Sequence, residues 1–154
     1  MARDGTAGLK ILHIHDIPPV EVRAQMHGDR RVGAHLRVLE QTPHRTFIHC
    51  HYDPGMTIEE HGHSSDHAIY VLGGSVMVGS EDCCSGTLVL LEEGATFGPL
   101  VAGPDGTDIL ELYAGDLTPV PADPDAFHRM LADRGIEEVQ PSFSGAVAPG
   151  TPPQ

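Results

Sequence analysis

Three histidines stand close together near the centre of the 154-residue chain: His61, His63 and His67. Neutral imidazole is a ligand suited to Zn, Cu, Fe and Ni. His61 and His63 are two residues apart, so on an extended strand both side chains fall on one face. A turn through residues 62–66 then brings His67 round to meet them, and three imidazoles converge. Such a set leaves a divalent metal its full positive charge and leaves its other positions open to water or substrate. A centre of this kind favours an anionic, chelating small molecule such as an enolate, thiolate or carboxylate. The bland alternative is three ordinary polar strand residues.

Other residues compete for a place in the same chemistry. His13 and His15 form a second His-x-His, read as an exposed strand face. His49 and His51 form a third, and by alternation either these two or Ile48, Cys50 and Tyr52 face inward. If the histidines face inward, one supplies a further ligand or a general base; solvent or sheet packing is the simpler assignment. Glu111 and Tyr113 share a face with Ile109. An inward Glu111 is a buried carboxylate that needs a metal or cationic partner, whereas the outward placement is the ordinary one for a glutamate. Phe97, Tyr70 and Tyr113 are candidate pocket walls. Cys83 and Cys84 fall in an expected hairpin loop, where a thiol is more often incidental than catalytic.

The elements that position these residues read as antiparallel β. Short apolar or alternating runs at 10–15, 34–40, 46–52, 68–72 with 75–78, 87–91 and 108–113 are separated by Gly, Pro and Asp clusters. Gly73-Gly74 and Gly103-Pro104-Asp105-Gly106 are among those turn signals. One segment differs: Asp123 as N-cap, Pro124 in the first turn and Gly135 past the end mark a short helix. Its Phe127, Met130 and Leu131 share one face, suited to the sheet or to a neighbouring barrel. The first eight residues and the last fourteen carry little to bury and are expected to fray.

Composition narrows the classes. Nine Lys plus Arg against 22 Asp plus Glu give a net charge of −13, which argues against nucleic acid and membrane surfaces as partners. Eleven histidines outnumber the basic residues, so full protonation would bring the charge to −2, and charge-dependent behaviour is expected to change around pH 6.5. No apolar run reaches the roughly 20 residues of a spanning helix, and the N-terminus lacks a signal-peptide layout. Three cysteines, two of them adjacent, disfavour a disulfide framework. The expectation is a cytoplasmic single-domain protein.

The spacing around the histidines resembles the cupin superfamily, as found in small single-domain bacterial cupins with an RmlC-like jelly roll. Gly55, His61, His63 and Gly74 sit at the intervals of the first cupin motif, with His67 where the motif has Glu. Gly86 and Gly94 sit at the intervals of the second motif, with Glu92 for its Pro, Phe97 for its His and Val101 for its Asn. Together with the stretch 97–106, the likeness covers roughly residues 16–115. It implies an all-β cupin jelly-roll barrel with a short C-terminal helix, usually a homodimer, with one divalent metal in the barrel mouth.

On that likeness the chain divides into an N-terminal arm or strand (1–15), the barrel (16–122), a helix and extension (123–140) and a flexible tail (141–154). The carried-over ligands are His61, His63 and His67. A neutral three-histidine set resembles the iron centres of thiol dioxygenases and of the diketone-cleaving cupin enzyme. Fe(II) is therefore the favoured metal, with Zn, Cu, Ni or Mn as alternatives, and a dioxygenase-like enzyme acting on a small molecule is the leading function. A non-catalytic small-molecule-binding or sensory cupin, and a metal-dependent isomerase or lyase, are the rival readings.

Overall fold

The structure, a computed structural model, describes residues 8–143. The expected fraying of residues 1–7 and most of the tail after 141 therefore lie outside the described residues. The chain forms β1 (Val20–His27), β2 (Arg30–Gln41), β3 (Thr46–Tyr52), β4 (Thr57–Ile58), β5 (His61–Gly62) and β6 (His67–Val78). There follow β7 (Glu81–Cys84), β8 (Leu88–Leu91), β9 (Thr96–Phe97), β10 (Leu100–Tyr113), β11 (Val120–Pro121), the helix α1 (Pro124–Asp133) and β12 (Ile136–Val139). Every pairing is antiparallel. The larger sheet runs β12-β1-β2-β3-β10-β6-β7, with β4 on β10 and β8 on β6, and a small sheet runs β11-β5-β9. The expected all-β class with one short C-terminal helix stands.

The core lies between the inward faces of these strands. Val32, Ala34 and Val38 on β2, Ile48, Cys50 and Tyr52 on β3, Ile69 and Val71 on β6, and Ile109 and Tyr113 on β10 belong to one buried cluster. Register makes continuous rows of them: Val38 faces Ile48, Ile48 faces Glu111, and Glu111 faces Ile69. Because side chains alternate, this parity also decides which polar groups are inside.

Several expected elements are corrected. Residues 10–15 form no strand: Ile14–Asp16 is a single 3-10 turn, and His13 and His15 are exposed on it. Pro18 and Pro19 follow, and proline offers no N–H to a ladder. Ile17 is instead buried, and its carbonyl accepts Arg37 Nε at 2.6 Å. The first long strand is β1, whose alternation of Val20, Val22, Ala24 and Met26 with polar residues is a strand signal that the expected runs left out. Gly73-Gly74 and 103–106 are not turns but bulges within the continuous strands β6 and β10, where the pairing register shifts. Gly74 has φ +65°, and a Cβ there would lie 2.0 Å from Gly106 O, so only glycine lets the two bulges cross.

The helix begins as its sequence predicts, with Asp123 Oδ1 accepting Ala126 N at 2.9 Å. Its apolar face is turned to its own chain: Phe127 and Leu131 are buried and the Arg23 guanidinium lies 5.9 Å from the Phe127 ring centroid. These two residues therefore do not cover a neighbouring barrel. Cys83 and Cys84 lie on β7 rather than in a loop, Cys83 buried and Cys84 exposed, and burial raises the Cys83 thiol above its ordinary range. Among the described residues no helix is long and apolar enough to cross a membrane.

Glu21 ties the sheet edge to the chain after β12. Its carboxylate accepts Arg31 Nη2 at 2.6 Å and both the backbone N and the Oγ of Ser142 at 2.9 Å. The Arg31 bond foremost, helped by Ser142 and opposed by burial, pulls its carboxyl from 4.5 down to about 2. A depressed carboxylate contributes stability above its unfolded value and loses it as pH falls toward the folded one. Glu21→Gln is expected to flatten the loss of stability between pH 4.5 and 2, measured by urea unfolding across that window, and to leave its shape above pH 5 unchanged.

Candidate functional site

The small sheet carries the first histidine. On β5, His61 pairs with Phe97 of β9 on one side and with Pro121 of β11 on the other. The Nδ1–H of His61 donates to its near neighbour Glu59 O at 2.7 Å, and that of His63 donates to Thr118 O at 3.2 Å. Each of these bonds fixes a tautomer whose Nε2 keeps its lone pair, the arrangement that orients metal-ligating histidines. His67 opens β6 directly opposite Tyr113 of β10, and the two rings stack at 4.1 Å and 15°.

All three histidines are buried. Neighbouring ring centroids are 5.1 Å apart for His61 and His63 and 4.8 Å for His63 and His67. Metal–nitrogen bonds of about 2.1 Å put ring centroids about 3.2 Å from the ion, hence about 4.5–5.2 Å from one another at right-angled to tetrahedral geometry. The spacings found fall in that range. His63 Nε2 and both nitrogens of His67 are buried without a hydrogen-bond partner, an expensive state for polar atoms that a bound ion would relieve. Among the described residues, no three His, Cys, Asp or Glu side chains are already closed around an ion position; the His67 ring lies flat on Tyr113. Burial first, then the neighbouring His67 and His61, lowers His63 to about 4, so its ring is neutral and competent as a ligand at neutral pH.

Glu111 corrects the expectation of an outward carboxylate. It is buried on the inner face, accepts Tyr113 Oη–H at 2.8 Å, and places Oε1 3.8 Å from His67 Nε2. Cys50 Sγ is a weak donor to it at 3.9 Å. Burial foremost, then the Glu111 charge, raises both Tyr113 and Cys50 well above their ordinary ranges, so each keeps its proton. The carboxylate absent from the motif position is thus present in space, on β10. Sequence parity with the apolar Ile109 was the signal for it.

The remaining candidates separate cleanly. Phe97 is buried, with its ring 4.6 Å from that of His61 and 5.6 Å from that of His67. Tyr70 is 42 % exposed on the outer face and forms no wall of the interior cavity. His49 and His51 also point away from the interior, because Ile48, Cys50 and Tyr52 fill it. Outside, Arg37 Nη1 is 3.2 Å from His49 Nδ1, and Asp108 Oδ1 is 3.1 Å from His51 Nδ1. Neither supplies a further ligand. Arg23 closes the base of the site by bonding Glu59 and, at 2.6 Å, Glu138. Burial opposes the Glu59 charge, but the Arg23 hydrogen bond and charge hold it below the ordinary carboxylate range.

Between these groups lies a cavity of about 170 Å³ lined by Ala34, Leu36, Ile48, Cys50, Tyr52, Ile58, His61, His63, Glu111, Tyr113 and Leu117 among others. Imidazoles, the carboxyl groups of Glu59 and Glu111, the Arg23 guanidinium, two phenols and a thiol share its walls with aliphatic side chains, a mixture suited to a small-molecule site.

No protein-family model and no curated protein matches the chain. Solved structures do. The chain is similar to the polyketide cyclase RemF from Streptomyces resistomycificus, with a TM-score of 0.62 at 17 % identity over 82 % of this chain and 96 % of that one. It is similar to an RmlC-like cupin from Shewanella frigidimarina NCIMB 400, with a TM-score of 0.56 at 14 % identity over 71 % and 94 %. A proposed acetylacetone dioxygenase from Methylibium petroleiphilum PM1 gives a TM-score of 0.62 at 11 % identity over 79 % and 86 %. At these identities the likeness is one of fold, a cupin jelly-roll barrel, and fold alone does not assign a reaction.

The Tyr113–Glu111 bond, at 2.8 Å, is the short one to the buried carboxylate. Tyr113→Phe is expected to lower stability to urea by about 1–3 kcal/mol by stranding it. Tyr70→Phe on the exposed face should stay within about 0.5 kcal/mol of the parent.

Proposed function

We propose that this cupin-fold chain holds one divalent transition metal through His61, His63 and His67, with Glu111 as a carboxylate within reach, and acts there on a small molecule. The reading is carried by the partnerless buried nitrogens of His63, which lines the interior cavity, and of His67, whose ring lies 4.8 Å from that of His63. Fe(II) is the favoured ion, with Zn, Cu, Ni or Mn as alternatives, since three imidazoles suit several metals. When bound, the ion supplies Lewis acidity and, if iron, a position for dioxygen. A dioxygenase-like reaction is the leading assignment, supported by the neighbour named as a proposed acetylacetone dioxygenase.

The protein groups have separable tasks. Glu59 O and Thr118 O hold the rings of His61 and His63 in the tautomer that leaves Nε2 free. Tyr113 and Cys50, both protonated, present donors to Glu111 and line the cavity. Phe97, beside His61 and His67, keeps water from that side of the site. A non-catalytic ligand-binding barrel is the rival reading, favoured by Phe97 standing where the second motif has a ligand.

The homodimer expected from the likeness is part of this proposal, but on the sheet instead of the helix. Tyr70, Leu72, Leu88 and Leu90 are 41–73 % exposed on adjacent strands, with Tyr70 facing Leu88 and Ala68 facing Leu90 across the β6–β8 pair. Leu110 and Leu112 on β10 extend the face toward Phe47 of β3. A two-fold axis sets such a patch against itself and removes its apolar surface from water.

Protein purified without a His tag is expected to carry about one metal per chain by elemental mass spectrometry, as one three-histidine site requires. The His61→Ala, His63→Ala double variant should lose it. No metal retained after titration with Fe(II), Zn, Cu, Ni or Mn would overturn the reading in favour of the non-catalytic binder. Light scattering should report a dimer that Leu88→Lys with Leu90→Lys converts to a folded monomer; a parent monomer at micromolar concentration removes the dimer from the proposal.

A further inference from the structure

Two cavities meet at one end of the barrel. The inner one, about 170 Å³, is lined by His61 and His63; the outer one, about 560 Å³, opens between the 42–45 loop and residues 115–118. They share Leu36, Ile48 and Leu117 as walls. Leu36 and Ile48 belong to β2 and β3 and are fixed by the ladder. Leu117 comes from the strap joining β10 to β11, which is pinned by Ala114 N to Asp66 O at 3.0 Å and by Ser65 Oγ to Asp116 O at 2.9 Å. The same strap supplies the carbonyl of Thr118 that holds His63.

The charges along this route are one-sided. The outer cavity is lined by Asp116 and by no Lys or Arg. In the inner cavity the one guanidinium, Arg23, is already bonded to Glu59 and Glu138. The whole chain carries −13. On the approach as far as Leu117 an anion would shed water with no cation lining the route to replace it, any charge held at the histidines lying beyond, whereas an apolar body gains by contact with Leu36, Val38, Ile48 and Leu117.

We infer that Leu117 is the threshold of the interior site, and that the site admits small uncharged molecules with an apolar body in preference to anions. The inference rests on the interior cavity being the ligand site. It revises the sequence-based expectation of an anionic substrate: the molecule passes Leu117 uncharged. The inner cavity falls below the 300–1,000 Å³ that drug-sized ligands fill, so the part of the ligand beyond Leu117 is small.

Cys50 lines the inner cavity and reports access without any metal or known substrate. In a Cys83→Ser, Cys84→Ser background, its modification by neutral methyl methanethiosulfonate is compared with that by the anionic 2-sulfonatoethyl reagent. Each rate is divided by that for free cysteine and taken at about 0.5 M salt, where long-range repulsion is screened. The neutral reagent is expected to be favoured about tenfold, with Leu117→Ala raising its rate about tenfold, Leu117→Trp lowering it and Leu117→Met matching the parent. Met130→Ala, beneath the helix, serves as the control for general loosening. Equal normalised rates for the two reagents, or rates that follow global unfolding and Met130→Ala as closely as Leu117→Ala, would overturn the inference. Metal content is measured separately, so loss of the metal reading and loss of the access reading are distinguishable.

Discussion

The burial of one carboxylate inside an aliphatic row organises the barrel interior. Glu111 sits between Ile48 and Ile69 across the ladder, where an unpaired charge would cost far more than any one hydrophobic contact returns. Its neighbours answer that constraint. Tyr113 donates from two residues along the same strand, Cys50 donates from β3, and His67 approaches from β6. A ring of protonated donors and imidazoles around a carboxylate is stable only if each polar atom finds a partner, and the free nitrogens of His63 and His67 show where one is still wanted.

The backbone serves that interior in two ways. The long strands β3, β6 and β10 set parity, so that Tyr113 lands opposite His67 while His49 and His51 are turned outside. The small sheet sets position, gripping His61 between Phe97 and Pro121. The crossing of Gly74 and Gly106 lets β6 and β10 bend around the core without breaking their pairing. One strap supplies both Leu117, between the two cavities, and the Thr118 carbonyl that holds His63, so movement of the strap and the setting of the His63 ring are mechanically linked.

Much of this was legible beforehand. The run 46–52 coincides with β3, the alternation at 108–113 forms the second half of β10, and the Asp123 cap, Pro124 and Gly135 bracket the helix. The approach of His61, His63 and His67 to one another was legible in their type and spacing. The misses have physical causes. Strand β1 does alternate apolar Val20, Val22, Ala24 and Met26 with polar residues, but these are small or flexible apolar groups and no glycine or proline breaks the run until Gly28, so the expected runs leave it out. The glycine pairs read as turns because a bulge and a turn use the same positive φ, and only pairing with a second strand tells them apart.

The sequence by itself determined an antiparallel β architecture, the short capped helix and the clustering of His61, His63 and His67, since these follow from local period, capping chemistry and spacing. Tertiary structure alone decided that Glu111 faces inward and His49 outward, that Tyr70 leaves the pocket for the outer face, and that Leu117 stands between two cavities. Alternation leaves two faces for every strand, and the choice between them is made by which face its neighbours in the ladder bury. That information lies in residues tens of positions away, as Ile48 and Ile69 on either side of Glu111 show.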